Sequence, residues 1–151
     1  MRQFHSLTLT VFCKPDEEDE ALVKQKLKAF FPFDLEKEKV PIAVQRAAGL
    51  DNKQIHVLNV TLTKEAHLTQ FFNTLLQRLN EEQKKALVRE AESRLDVELC
   101  FYIRFDKERW NDHEELWIVD HGNCYHCKIH VAAYPKKREV ALKIILELFG
   151  K

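Results

Sequence analysis

The chain has 151 residues, 45% of them hydrophobic, and its 24 basic and 24 acidic side chains give a formal net charge of zero. That length fits one domain over residues 1–151 with a core that needs no staples, and zero net charge argues against the basic domain a nucleic-acid binder usually presents, so any anion site must be a local patch. The apolar runs fall short of the ~18 residues of a membrane span, and residues 1–13 lack a signal peptide's apolar core and cleavage site, so we expect a cytoplasmic protein, no membrane partner and reduced cysteines.

Residues 4–13 alternate, with His5, Leu7, Leu9, Val11 and Cys13 on one face and Ser6, Thr8 and Thr10 on the other, which predicts a half-buried strand. Pro15, Asp16, Glu17 and Glu18 suit a helix start, because proline is tolerated at the first position and acids complement the dipole. Leu22, Val23, Leu27 and Phe30 supply its apolar stripe, and Pro32 ends it. Pro41 demotes residues 33–44 to an edge or irregular strand, and 47–53 reads as a turn region. A second strand spans 55–63, where His56, Leu58, Val60 and Leu62 alternate with Val57, Asn59, Thr61 and Thr63. Thr63 is a candidate cap for a helix whose Leu68, Phe71, Phe72, Leu75, Leu76 and Leu79 repeat at three and four. Asn80, followed by Glu81 and Glu82, starts another helix, so 64–95 reads as a helical hairpin.

The cleanest strand is 97–105, where Val97, Leu99, Phe101, Ile103 and Phe105 alternate with Glu98, Cys100, Tyr102 and Arg104. A loop around 110–113, a short strand at 115–119 and a turn at 120–123 then form a hairpin with the next strand. That strand puts Cys127, Ile129, Val131 and Ala133 on one face and Lys128, His130 and Tyr134 on the other. Pro135 suits the first position of the last helix, which would leave Lys136, Lys137 and Arg138 in a first turn where the dipole disfavours cations. A stretch that accepts that penalty points to an outside anion. Val140, Ala141, Ile144, Ile145, Leu148 and Phe149 complete the terminal helix. The order β-α-β-β-α-α-β-β-β-α, with alternating rather than continuously apolar strands, predicts an α+β fold: a mostly antiparallel, twisted sheet with helices on one face and the other face open.

Arg104, Asp106 and Lys107 within 101–107, and Ala132, Ala133, Tyr134, Pro135, Lys136, Lys137 and Arg138 within 129–138, resemble two motifs of an archaeal family. Its members are predicted RNA-binding, exosome-associated proteins whose fold is similar to ribosomal protein L5. The order of elements agrees over nearly the whole chain. The chain departs from the family at 14–18, where Lys14-Pro-Asp-Glu-Glu replaces a Thr-Glu-Asp run. At 49–55 only Gly49 and Ile55 match a turn that in relatives contains glycine and proline. Neither motif is an enzyme signature. The resemblance implies a non-catalytic RNA-binding protein, accessory to RNA processing or the exosome.

The polar strand faces would present Thr8, Thr10, Asn59, Thr61, Tyr102, Arg104, Lys128, His130 and Tyr134, and cations between aromatic rings suit single-stranded RNA. Lys136, Lys137 and Arg138, extended by Lys107 and Arg109, would hold phosphates near a helix N-terminus. The expected RNA-binding set is therefore Arg104, Lys107, Lys128, His130, Tyr134, Lys136, Lys137 and Arg138. The alternative is a face or edge that docks on an RNA-processing assembly or on a second copy. Cys124 and Cys127 have CxxC spacing near His121, His126 and His130, yet zinc needs four converging ligands, and a strand sends Cys127 inward and His126 outward. No metal and no cofactor are expected, since no phosphate loop or nucleotide fingerprint is present either. Asp106, Asp112, His113, Glu114 and Glu115 read as a solvated loop rather than a nuclease metal cluster. Trp110 and Trp117 read as packing residues or an oligomer contact.

Overall fold

The computed structural model describes residues 2–150. Its frame is one six-stranded sheet, built from β1 (Phe4–Cys13), β2 (Ala43–Ala48), β3 (Gln54–Leu62), β4 (Cys100–Asp106), β5 (Ile118–Val119) and β6 (Cys124–Val131). The strands run in the order β2-β3-β1-β6-β4-β5, and every pairing is antiparallel. The expected α+β fold with an open sheet is what forms.

Alternation decides which face is buried. The register sets Leu9 beside Val60 on one side and Cys127 on the other, and Cys127 beside Ile103. Leu7, Leu62, Ile129 and Phe101 form the next row, and all eight side chains are fully buried. This apolar face is covered by the stripes of α1 (Glu20–Lys28), α2 (Glu65–Arg78), α3 (Glu81–Arg89) and α6 (Arg138–Phe149), through Leu27, Phe71, Leu87 and Ile145 among others. Phe149 stacks on Phe101 with ring centroids 5.9 Å apart. No described helix is long and apolar enough to cross a membrane.

Local differences from the sequence expectation have identifiable causes. Helix α1 starts at Glu20, because the Asp19 carboxylate takes the Ala21 and Leu22 N–H groups; residues 14–18 only form a turn. Lys64 rather than Thr63 occupies the N-cap position of α2 and makes no side-chain capping bond, whereas Asn80 and Gln83 make a full capping box on α3. β2 takes Ala47 and Ala48 out of the predicted turn. Val97 lies outside β4 and is 95% exposed. Asp96 accepts the Glu98 and Cys100 N–H groups, and Leu99 at φ 66° turns the chain into the strand. The short strand shrinks to Ile118–Val119 and pairs with β4 rather than forming the expected hairpin with β6, and Gly122, at φ 95°, makes the following turn where a side chain would be strained. Helix α6 begins at Arg138, so Pro135, Lys136 and Lys137 precede it.

The largest difference is at 107–113. These residues form helix α5 (Lys107–His113), capped by the Asp106 carboxylate on the Arg109 N–H. Its only buried side chains are Lys107 and Trp110, so it carries no periodic stripe for a sequence reading to find. Trp110 is fully buried against Phe30, 4.0 Å between centroids, and its indole N–H donates to the Lys26 carbonyl at 2.7 Å. The Arg78 guanidinium lies 5.1 Å over the same ring, and Tyr125 donates to Asn111 of the same helix at 2.5 Å. Trp110 thus pins α5 and α1 to the sheet. Trp110→Ala should cost about 3–5 kcal/mol, while Val97→Ala should stay within about 0.5 kcal/mol. Urea unfolding midpoints of the two variants check this.

Candidate nucleic-acid interface

The same alternation that buries one face leaves the other polar. Across the open face, Thr10 pairs with His126 and His126 with Arg104; Thr8 pairs with Lys128 and Lys128 with Tyr102; Ser6 pairs with His130. On the far side of β1, Thr8 meets Thr61 with hydroxyl oxygens 3.0 Å apart, and Thr10 meets Asn59. Lys128 therefore stands mid-sheet on β6 between two imidazoles, with a tyrosine and a threonine at its sides.

Two aromatic groups flank it. The Tyr102 and His126 rings lie 5.2 Å apart. At the other end, His5 lies 4.8 Å from His130 and meets Tyr134 edge-on at 6.1 Å. His5 reaches this face because a bulge between Phe4 and Ser6 shifts the register there, whereas simple alternation assigns it to the core side. Phe12, 57% exposed, shares the parity of Thr8 and Thr10 and adds a ring at the opposite end of β1. Its parity was visible in the sequence; the His5 bulge and the role of His126 were not.

The cations of the face act on its imidazoles. Burial lowers the His126 pKa, and Arg104 and Lys128 lower it further. Burial also lowers His130, helped by His5, Lys136 and Lys128, against a smaller opposing effect of Asp96. Tyr102 is pushed up to about 12 by burial and by its 2.8 Å hydrogen bond to Asp96, so its hydroxyl stays a donor.

Of the eight residues the sequence singled out, Arg104, Lys128, His130 and Tyr134 gather on or beside this face. Lys136 borders it closely enough to act on His130, and Lys137 is exposed next to it. Lys107 and Arg138 are turned to structural use. The Lys107 ammonium, 3% exposed, donates to the Phe12 carbonyl at 2.7 Å and to Glu18 at 2.5 Å. Burial alone would raise the Glu18 carboxyl, but the Lys107 hydrogen bond and the Lys14 backbone N–H outweigh it and hold the carboxyl below its usual range. Arg138 donates to the Leu95 and Glu92 carbonyls at 2.9 and 2.5 Å, tying α6 to the end of α4 (Ala91–Arg94). Arg109 lies 4.2 Å over the Trp117 ring and pairs with Glu115 rather than extending a patch.

The CxxC pair splits as the strand geometry predicts. Cys127 is fully buried on the core face, its thiol pushed up to about 12 by burial, while Cys124 falls on the other face. Among the described residues, no three His, Cys, Asp or Glu side chains are grouped to hold a metal.

A family profile described as RNA binding matches residues 6–132. The chain belongs to this family. A curated relative, an RNA-binding protein of Pyrococcus abyssi, is 27% identical over 96% of this chain and 93% of its own. A crystal structure of a DUF54 protein from Archaeglobus fulgidus superposes with a TM-score of 0.84 at 27% identity, covering 97% of this chain and 99% of that one. A DUF54 protein of Methanothermobacter thermautotrophicus gives 0.78 at 26% identity, covering 98% and 99%. This chain shares its fold with both over nearly the whole of each chain.

Two outcomes separate structural from surface cations. Lys107→Ala leaves Glu18 without its buried partner and should cost about 3–5 kcal/mol in urea unfolding, whereas Lys136→Ala should change stability by less than about 0.5 kcal/mol. The lowered imidazoles set a pH dependence. Unfolded His126 and His130 take up protons near pH ~6.5, but the folded ones do so only at lower pH. The unfolded state then binds more protons, so the urea midpoint should fall as pH drops from about 7 to about 5.5, and His126→Gln should flatten that slope.

Proposed function

We propose that this protein binds RNA, without catalysis, on the open face of its sheet. The observation that carries the reading is the face itself: in a chain of the RNA-binding family with no net charge, Lys128 and Arg104 stand on the helix-free side among Tyr102, His126, His130 and Tyr134. Lys128, Lys136 and Lys137 take phosphates, Arg104 adds an uncommitted donor at the β4 edge, Tyr134, His5 and Phe12 offer rings for unstacked bases, and the Thr8, Thr10 and Thr61 hydroxyls meet 2′-hydroxyl groups. The ligand is single-stranded RNA, because β1 and β6 present rings and short side chains rather than a helix or loop shaped for a duplex groove. Strand β1 between His5 and Phe12 spans about 23 Å at ~3.3 Å per residue. The same reading makes the protein accessory to RNA processing or the exosome, with the ribosomal-protein-L5-like fold that its motifs imply.

A second reading is favoured by β2. All six residues of Ala43–Ala48 are exposed, and the outer edge of the strand has no partner in the sheet. Such an edge accepts an added strand from another chain, which makes this a protein-docking module or a homodimer. Scattering that reports a dimer opened by Val44→Lys, together with no RNA shift, would favour it.

With about three phosphate contacts, the log–log salt slope for single-stranded RNA should be near about −2, and Lys128→Ala should reduce it by about 0.7. Tyr134→Ala and Phe12→Ala should each weaken binding by about 1–3 kcal/mol. Gel shifts and fluorescence titration read both. No shift of any RNA at low salt would sink the proposal.

A further inference from the structure

At the β4 edge of the open face lies a concave site lined by Glu90, Ser93, Arg94, Tyr102, Arg104 and Asp120. Its charge pattern differs from that of the open face: two guanidiniums meet two carboxylates. Arg94 is the buried member, with a side chain 8% exposed. It donates to the Tyr102 carbonyl at 3.2 Å and to Glu90 at 2.9 Å, and its Nε–H has no partner. Arg94 therefore occupies Glu90 and holds it against the wall. Asp120 is different: its side chain is 84% exposed and only 3.8 Å from Arg94, so its carboxylate keeps acceptor capacity toward the opening. Arg104 enters from β4 and makes no ion pair among the described residues, so its fork of donors is uncommitted. Tyr102 also lines the site, its hydroxyl already given to Asp96.

A phosphate fits this site poorly, because Glu90 and Asp120 repel it. An uncharged ligand that shows a pair of acceptors next to a pair of donors fits well. Guanine is the RNA base with that edge. Its O6 and N7 accept two N–H groups from one guanidinium, and its N1–H and exocyclic amine donate together into one carboxylate. Adenine turns the N1 lone pair toward a carboxylate. Uracil offers a single donor, and cytosine only its amine.

We propose that this site reads guanine: Arg104 on O6 and N7, Asp120 on N1–H and the amine, and the Tyr102 ring alongside the base. The inference rests on the RNA-binding reading above and adds a base preference that stacking alone does not provide. The test is titration of short oligouridylates, unchanged or with one uridine replaced by guanosine, inosine, adenosine or cytidine, against the full chain and its Asp120→Ala variant; only affinity ratios are read. One guanosine should raise affinity about tenfold over uridine. Inosine, which lacks the amine, should keep part of that gain, and Asp120→Ala should reduce the guanosine ratio to about twofold or less. Asp120 lies on an exposed turn, so the variant tests the site rather than the fold. Equal affinity for all bases, a preference for cytidine or adenosine, or an unchanged guanosine ratio in Asp120→Ala would overturn the guanine site while leaving RNA binding intact. Failure of every oligomer to bind would overturn both.

Discussion

The pairing of Leu9 with Val60 on one side and Cys127 on the other, and of Cys127 with Ile103, fixes the orientation of four central strands at once. Because side chains alternate with a period of two, a slip of one residue would carry Lys128 into the core and Ile129 into water. The burial of Leu7, Leu9, Leu58, Val60, Ile103, Cys127 and Ile129 makes that slip prohibitive. The open face is therefore a by-product of the core. Lys128, His126, His130 and Arg104 point outward because their neighbours must point inward. The helices crowd the apolar side, so the polar side stays open without any dedicated device.

How the cations are divided matters more than how many there are. The chain has no net charge to draw an anion from a distance, so an anion would have to be held by the basic groups that remain uncommitted. Several are consumed internally. Lys107 closes β4 and α5 onto the end of β1, Arg138 fastens α6 to the end of α4, Arg78 covers the Trp110 ring, and Arg94 holds the β4 edge. Burying an ammonium such as that of Lys107 is costly unless it is paired and hydrogen-bonded, and Glu18 and the Phe12 carbonyl satisfy it. Lys128, Arg104, Lys136 and Lys137 remain on or beside the open face. A small surplus of cations on one face, set among rings, favours weak, salt-sensitive contact in which stacking supplies much of the affinity.

Much of the fold was legible in the residues. Alternation in 4–13, 55–63 and 97–105 located three of the central strands and their buried faces, and the three-and-four spacing from Leu68 to Leu79 located α2. Those signals are local, repeated and reinforced by burial. Helix α5 was not legible, since a helix held by one indole and one ammonium has no period. The start of α6 was misplaced because proline is as compatible with the approach to a helix as with its first turn. His5 was assigned to the wrong face because a bulge breaks parity at a single residue without leaving a mark in the sequence.

By itself, the sequence determined which side chains share a face, and so that the protein has one apolar and one polar sheet surface; a period of two along a strand is a local geometric fact. Only the tertiary structure decided which cations on and around that polar surface remain available. Lys107 meets the carbonyl of Phe12 from 95 positions away in the chain, and Arg138 meets that of Leu95 from 43. A cation's availability depends on whether distant backbone oxygens and carboxylates reach it once the chain has folded, and nothing in its immediate neighbours records that distance.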